Sequence, residues 1–193
     1  MQQSETFYSE NAKTYIEQTL PCDMSMHYEY FLPHLPQNAS ILDLGFGSGR
    51  DMIAFQSMGY TTKGIDPTKA FVERMAGLGY DVEEGTAQSM TYQNEFDGIW
   101  ACSSLLHVPS EALHLAFSRI SNALKPCGFV YCSFKYGSFE GERDGRYYTD
   151  LTEESILPHL ENTGLALISY SLTSDIRPNN TTLWLNCILQ KEG

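Results

Sequence analysis

The chain has 193 residues, 42% hydrophobic and 19% charged, with 15 Gly and 8 Pro, which excludes collagen, coiled coil and wholesale disorder. A domain of this length buries about 70% of its unfolded surface and needs no disulfide or metal staple. Its 12 Lys plus Arg stand against 24 Asp plus Glu, a formal net charge of −12. That balance argues against a nucleic-acid partner, because phosphate backbones are held by clustered cations.

The elements alternate along the chain. Tyr8, Ala12, Tyr15 and Ile16 recur at helical spacing within 7–19 and predict an N-terminal amphipathic helix. A connector marked by Pro21, Pro33 and Pro36 follows, with a short helix around 26–31. Ser40–Leu44 reads as a buried strand, 50–58 as a helix stopped by Gly59, and 61–65 as a strand. A helix over 67–76, opened by Pro67 in its first turn, leads to strands over 80–84 and 96–102. Residues 110–124 form the clearest helix, with Leu113, Phe117, Ile120 and Leu124 on one face, Ser110 as N-cap and Pro126 beyond its end. A strand over 129–134 and a helix over 152–163, interrupted by Pro158 and ended by Gly164, come next. The final strand-like runs, 165–172 and 183–189, are separated only by a short linker that includes DIRPNN, which suits an antiparallel hairpin.

Five βα units and a terminal hairpin describe an open α/β sheet in a single domain, mostly parallel with one reversed strand. A helical cap over about 1–37 precedes a core over about 38–193. The five cysteines (Cys22, Cys102, Cys127, Cys132, Cys187) are odd in number and lack a CxxC pair, so neither a disulfide framework nor a metal site is expected. The polar N-terminal twenty residues do not read as a signal peptide, and no run approaches the ~18 apolar residues of a membrane span. A cytoplasmic protein with no membrane partner is the expectation.

The first strand ends in DLGFGSGRD, residues 43–51. Glycines at 45, 47 and 49 let the backbone turn sharply and approach a ligand, and the following helix offers free N–H groups. A dinucleotide loop of G-x-G-x-x-G form would need glycine where Arg50 stands. Asp43 would also repel a diphosphate and suits a ligand with an amino group. The second strand ends at Asp66, a carboxylate placed to accept both hydroxyls of an unphosphorylated ribose. A nucleoside with an amino-bearing tail and no phosphate chain is implied.

With DLGFGSGRD (43–51), GID (64–66), FDGIWACSSLLHVP (96–109) and LKPCGFVYCSFKYG (124–137), the chain resembles class I S-adenosylmethionine-dependent methyltransferases of the small-molecule type over about residues 7–190. The resemblance implies a Rossmann-like seven-stranded sheet with one antiparallel strand near the C-terminus and helices on both faces. It implies S-adenosyl-L-methionine as cofactor. Asp43 would orient its amino group, with Gly45, Phe46 and Gly47 beside the methionine tail. Asp66 would hold the ribose, and Pro67, Thr68, Thr86, Ala87 and Gln88 would surround the adenine. Thr86 stands where many relatives carry an acid, so Ala87 or Gln88 would share that contact. Ser103 would face the cofactor through its backbone.

Methyl transfer needs in-line alignment and exclusion of water, and a base only for a hydroxyl or protonated amine acceptor. His107 is the candidate base, and a pocket-lining or helix-capping ring is its plainer reading. Tyr8 and Tyr15 on the first helix, and Arg143 and Arg146 in a predicted lid over 135–150, are candidate substrate contacts. The partner expected is a small-molecule methyl acceptor, with the chain a monomer or homodimer. Two other classes remain: an S-adenosylmethionine-binding module without catalysis, and a nicotinamide-dependent reductase, which Asp43 and Arg50 oppose.

Overall fold

The computed structural model describes residues 2–176 and 180–193, so the middle of the DIRPNN linker lies outside the described residues. The strands are β1 Ser40–Leu44, β2 Thr61–Asp66, β3 Val82–Glu84, β4 Phe96–Ala101, β5 Leu124–Lys135, β6 Glu140–Arg143, β7 Arg146–Thr149, β8 Leu165–Ser174 and β9 Leu183–Lys191. The helices are α1 Gln2–Thr19, α2 Ser25–Phe31, α3 Arg50–Ser57, α4 Lys69–Gly77, α5 Ser110–Ala123 and α6 Leu157–Leu160. One seven-stranded sheet has the order β3-β2-β1-β4-β5-β9-β8. β1 to β5 pair in parallel, and β9 runs antiparallel to both β5 and β8, which makes it the single reversed strand. This is the doubly wound α/β architecture expected from the alternation of elements.

Period-two alternation assigns the two faces. Leu42, Leu44, Ile99, Val130, Cys132, Cys187 and Leu189 point to the side covered by Leu113, Ala116, Phe117 and Ile120 of α5. Their neighbours Ile41, Trp100, Tyr131 and Ile188 point to the other side, under Tyr28 and Phe31 of α2 and Phe55 of α3. The N-terminal cap therefore completes one core layer of the sheet.

A buried carboxylate ties that layer together. Asp51, in the first turn of α3, accepts from Tyr28 Oη (2.6 Å), Trp100 Nε1 (2.8 Å) and both Nε (2.7 Å) and a terminal nitrogen (2.9 Å) of Arg50. The position also suits the positive end of the helix dipole. Trp100 stacks on Tyr131 with centroids 4.0 Å apart, and Tyr131 donates to Asn186 Oδ1 of β9 at 2.7 Å.

Several sequence expectations need correction. Pro67 precedes α4 instead of opening it, because the Asp66 carboxylate takes the Thr68 N–H (2.7 Å) and the helix starts at Lys69. Pro109 holds the cap position of α5, and the Ser110 N–H is satisfied by Glu140 Oε1 at 2.8 Å. β5 begins at Leu124, earlier than the expected 129, and takes in Pro126 in an irregular entry where Cys127 has φ of 62°. A turn at 86–89 follows β3. The helix expected over 152–163 shrinks to α6: Ser155 Oγ takes the Thr152 N–H (2.8 Å), a local alternative to helix, and Pro158 lacks a donor. The stretch read as a lid over 135–150 contains the antiparallel hairpin β6–β7, turned at Asp144 (φ 53°) and Gly145 (φ 74°). Two successive positive φ values are what a type I′ turn requires, and Asp-Gly supplies them.

Removing the Asp51 carboxylate leaves Arg50, Trp100 and Tyr28 with unmet donors in a buried layer. Asp51→Ala is expected to lower unfolding free energy by about 3–5 kcal/mol, read from denaturant midpoints. A loss below about 1 kcal/mol would exclude this carboxylate as a structural hub.

Candidate functional site

The turn after β1 is set by glycine geometry and one carboxylate. Gly45 and Gly47 have φ of 77° and 50°. A side chain at Gly45 would collide with Ser104, and one at Gly47 would press on the ring of Tyr15, 3.0 Å from its Cε1. At the tip of β2, Asp66 Oδ2 accepts the Gly47 N–H (2.9 Å) while Oδ1 accepts that of Thr68 (2.7 Å). One buried side chain thus locks the glycine turn to the start of α4.

These elements wall a cavity at the carboxyl ends of β1, β2 and β4, the place where ligands bind in open α/β sheets. Gly45, Gly47, Asp66, Pro67, Thr68, Thr86, Ala87, Gln88, Ser103, Tyr8, Tyr15 and His107 all line it. Thr86 is engaged locally, its N–H (2.9 Å) and hydroxyl (3.1 Å) both on Ser89 Oγ. The Gln88 amide is different: both its oxygen and its nitrogen are buried without a hydrogen-bond partner. A buried amide with no partner is costly, and its place in a cavity wall marks where a ligand can supply a donor and an acceptor. The Ser103 N–H is taken by Ser133 Oγ at 2.8 Å, with Ser103 at φ 52°.

A second cavity lies under α1, α2 and the β6–β7 hairpin and shares Tyr8, Tyr15, Ser103 and His107 with the first. The shared wall is fixed by a hydrogen-bond chain. His107 Nδ1 lies 2.6 Å from the Tyr147 carbonyl, which can only accept, so Nδ1 carries the proton. Burial pushes the His107 pKa down to about 4, leaving a neutral ring whose Nε2 accepts from Tyr8 Oη at 2.9 Å. Tyr8 and Tyr15 meet edge to face, centroids 5.1 Å apart, and burial raises the Tyr15 pKa far above its ordinary value. Cys102 also lines the second cavity, but burial pushes its thiol up to about 11, which leaves it unreactive near neutrality.

Not every expected residue reaches a cavity. Asp43 is buried behind the glycine turn, its Oδ2 without a partner, and burial followed by the charge of Asp51 raises its pKa well above the carboxylate range. Phe46 packs away from the ligand space with Met52, Phe71 and Met75. Arg143 is committed to Asp150 (2.7 Å) and stacks over Phe139, while Arg146 lines the second cavity. Lys135 and Trp184 line it too and were missed. Lys135 is the last residue of β5, and the rule that ligands sit beyond strand carboxyl ends would have found it.

A family described as "Methyltransferase domain" matches residues 41–128, slightly less than half the chain. No curated protein sequence matches. Among solved structures, a Burkholderia thailandensis 1,6-didemethyltoxoflavin-N1-methyltransferase with bound substrate and S-adenosylhomocysteine is similar at TM-score 0.78 and 19% identity, covering 98% of this chain and 86% of that one. A Methanosarcina mazei S-adenosylmethionine-dependent methyltransferase is similar at TM-score 0.72 and 18% identity, over 83% of this chain and 96% of that one. The [4+2]-cyclase SpnF is as similar, TM-score 0.72 and 18% identity, over 99% and 96%. The chain has the fold of the class I S-adenosylmethionine-dependent methyltransferases, and its residues 41–128 match the methyltransferase-domain family.

Proposed function

We propose that the chain is an S-adenosylmethionine-dependent methyltransferase acting on a small-molecule acceptor. The observation that carries this reading is the pairing of two cavities across one wall: a space beside Asp66 and Gln88 for the cofactor, sharing Tyr8, Tyr15, Ser103 and His107 with a second space for the acceptor. The residues fit the cofactor. Asp66 lines the first cavity at the tip of β2, where its carboxylate is the acceptor for the ribose hydroxyls. Gln88, with the Ala87 backbone, serves the adenine edge in place of the locally engaged Thr86. Gly45 and Gly47 let the chain lie against the methionine tail. Asp43 and Phe46 act behind the wall, holding the turn.

When bound, S-adenosylmethionine supplies an electrophilic methyl on a sulfonium, so the chain's own work is alignment and exclusion of water. Tyr8 and Tyr15 present ring surface at the junction, which favours a nearby positive charge by about 1 kcal/mol. His107 is a positioning residue for Tyr8: it has no free ring nitrogen, and its low pKa makes it a poor base at neutral pH. A cofactor-binding protein of this fold without methyl transfer is the second reading, favoured by the likeness to a protein named as a cyclase.

Calorimetry is expected to show S-adenosylhomocysteine binding to the wild type, weakened roughly tenfold or more by Asp66→Ala and less by Gln88→Leu. No binding heat in the wild type overturns the cofactor assignment. Release of S-adenosylhomocysteine from S-adenosylmethionine over a panel of small acceptors separates transferase from silent binder.

His107 is expected to stay neutral throughout pH 6–8, seen as ring resonances that do not titrate until near pH 4. A folded pKa below the ordinary 6.5 means that the unfolded chain takes up the proton first as pH falls. The stabilisation from this ring is therefore full above pH 6.5 and disappears as pH drops through about 4. A measured pKa near 6.5 would restore the general-base role.

A further inference from the structure

The cations lining the second cavity are out of proportion to the chain. With a net charge of −12, the protein still places Arg50, Lys135 and Arg146 in this one wall, against Asp175 as its acidic member. Arg50 is held by the buried Asp51 carboxylate, and Asp175 accepts from Asn180 (2.8 Å) and Trp184 Nε1 (3.1 Å). Near the Tyr148 ring centroid lie Lys135 Nζ at 3.9 Å and the guanidinium carbons of Arg143 at 5.2 Å and Arg146 at 5.4 Å. The Arg146 guanidinium also lies 4.6 Å from the ring of Phe7, and its Nε is buried with no acceptor.

A buried guanidinium N–H without an acceptor is costly, and an oxyanion bound in the cavity would satisfy it. The rings of Phe7, Tyr8 and Tyr148 lie within cation–π range of the guanidinium and restrain it before a ligand arrives. We infer that the second cavity takes a small acceptor bearing a carboxylate or phosphate, held by Arg146 in a wall that Lys135 and Tyr148 share. This rests on the methyltransferase reading above, and it turns the general small-molecule acceptor into an anionic one. The anion end lies by the β6–β7 hairpin, and the methyl-accepting end points to the wall of Tyr8, Ser103 and His107 shared with the cofactor space.

The test is binding to the full chain with and without saturating S-adenosylhomocysteine, using 4-hydroxybenzoate, 4-hydroxybenzamide, phenyl phosphate and phenol as probes. The expected result is that at least one anion binds roughly tenfold or more tighter than its neutral counterpart, and that Lys135→Met and Arg146→Met each abolish that preference. The carboxylate and phosphate arms distinguish the two sources of charge. Retained S-adenosylhomocysteine affinity in both variants reports that they are folded. Equal binding of the neutral probes, no anion binding at millimolar concentration, or unchanged preference in both variants overturns the inference. So does a tenfold loss of S-adenosylhomocysteine affinity in a folded Arg146→Met, which would give that guanidinium to the cofactor's own carboxylate. Failure of the wild type to bind S-adenosylhomocysteine, with anion selectivity intact, overturns the cofactor reading alone.

Discussion

A carboxylate taken out of water must be given donors, and the way Asp51 receives them organises much of this molecule. Its partners come from α2, α3 and β4, three elements distant in sequence, and together they satisfy both oxygens. From there the polar path continues: Trp100 stacks on Tyr131, Tyr131 reaches Asn186, and Asn186 Nδ2 donates to Ser171 O and Thr173 Oγ1 of β8. A line of aromatic and amide groups thus crosses the sheet from the N-terminal cap to the far edge strand. Apolar packing alone would tolerate several rotations of the cap. The directional bonds to Asp51 select one, and the floor of the second cavity is positioned with it.

The glycine turn follows the same economy at smaller scale. Asp66 accepts one backbone N–H at each oxygen and also lines the first cavity, so the cavity wall and the βα connection share a single side chain. The arrangement needs no basic loop, consistent with a ligand that carries no phosphate chain. Charge is treated differently in the two cavities: the first offers one carboxylate beside an uncharged amide, and the second collects cations around a tyrosine ring. That asymmetry assigns them different guests.

Much of this was legible in the residues alone. The strands of the seven-stranded sheet, the reversed β9 and the cavity-lining positions Gly45, Gly47 and Asp66 followed from local pattern, because turns and strand ends leave strong marks on sequence, while Pro67, Thr68 and Gln88 came with the family resemblance. The hairpin β6–β7 was equally marked, by Asp144-Gly145 between alternating residues, yet glycine richness drew attention to a lid instead. The shortening of α6 had local causes, Pro158 and the Thr152–Ser155 side chains, whose joint weight exceeded the helical period. Other features were beyond local reading. That Phe46 turns inward, that Arg143 belongs to Asp150, and that His107 lies between Tyr8 and the Tyr147 carbonyl are consequences of contacts across 99, 40 or fewer positions, set only when the sheet closes.

The roof over both cavities is a single helix, α1, fastened by Tyr8 to His107 and by Ser4, whose Oγ accepts the Tyr147 N–H at 3.1 Å. Both spaces therefore share one roof, and a displacement of α1 would open the two compartments together.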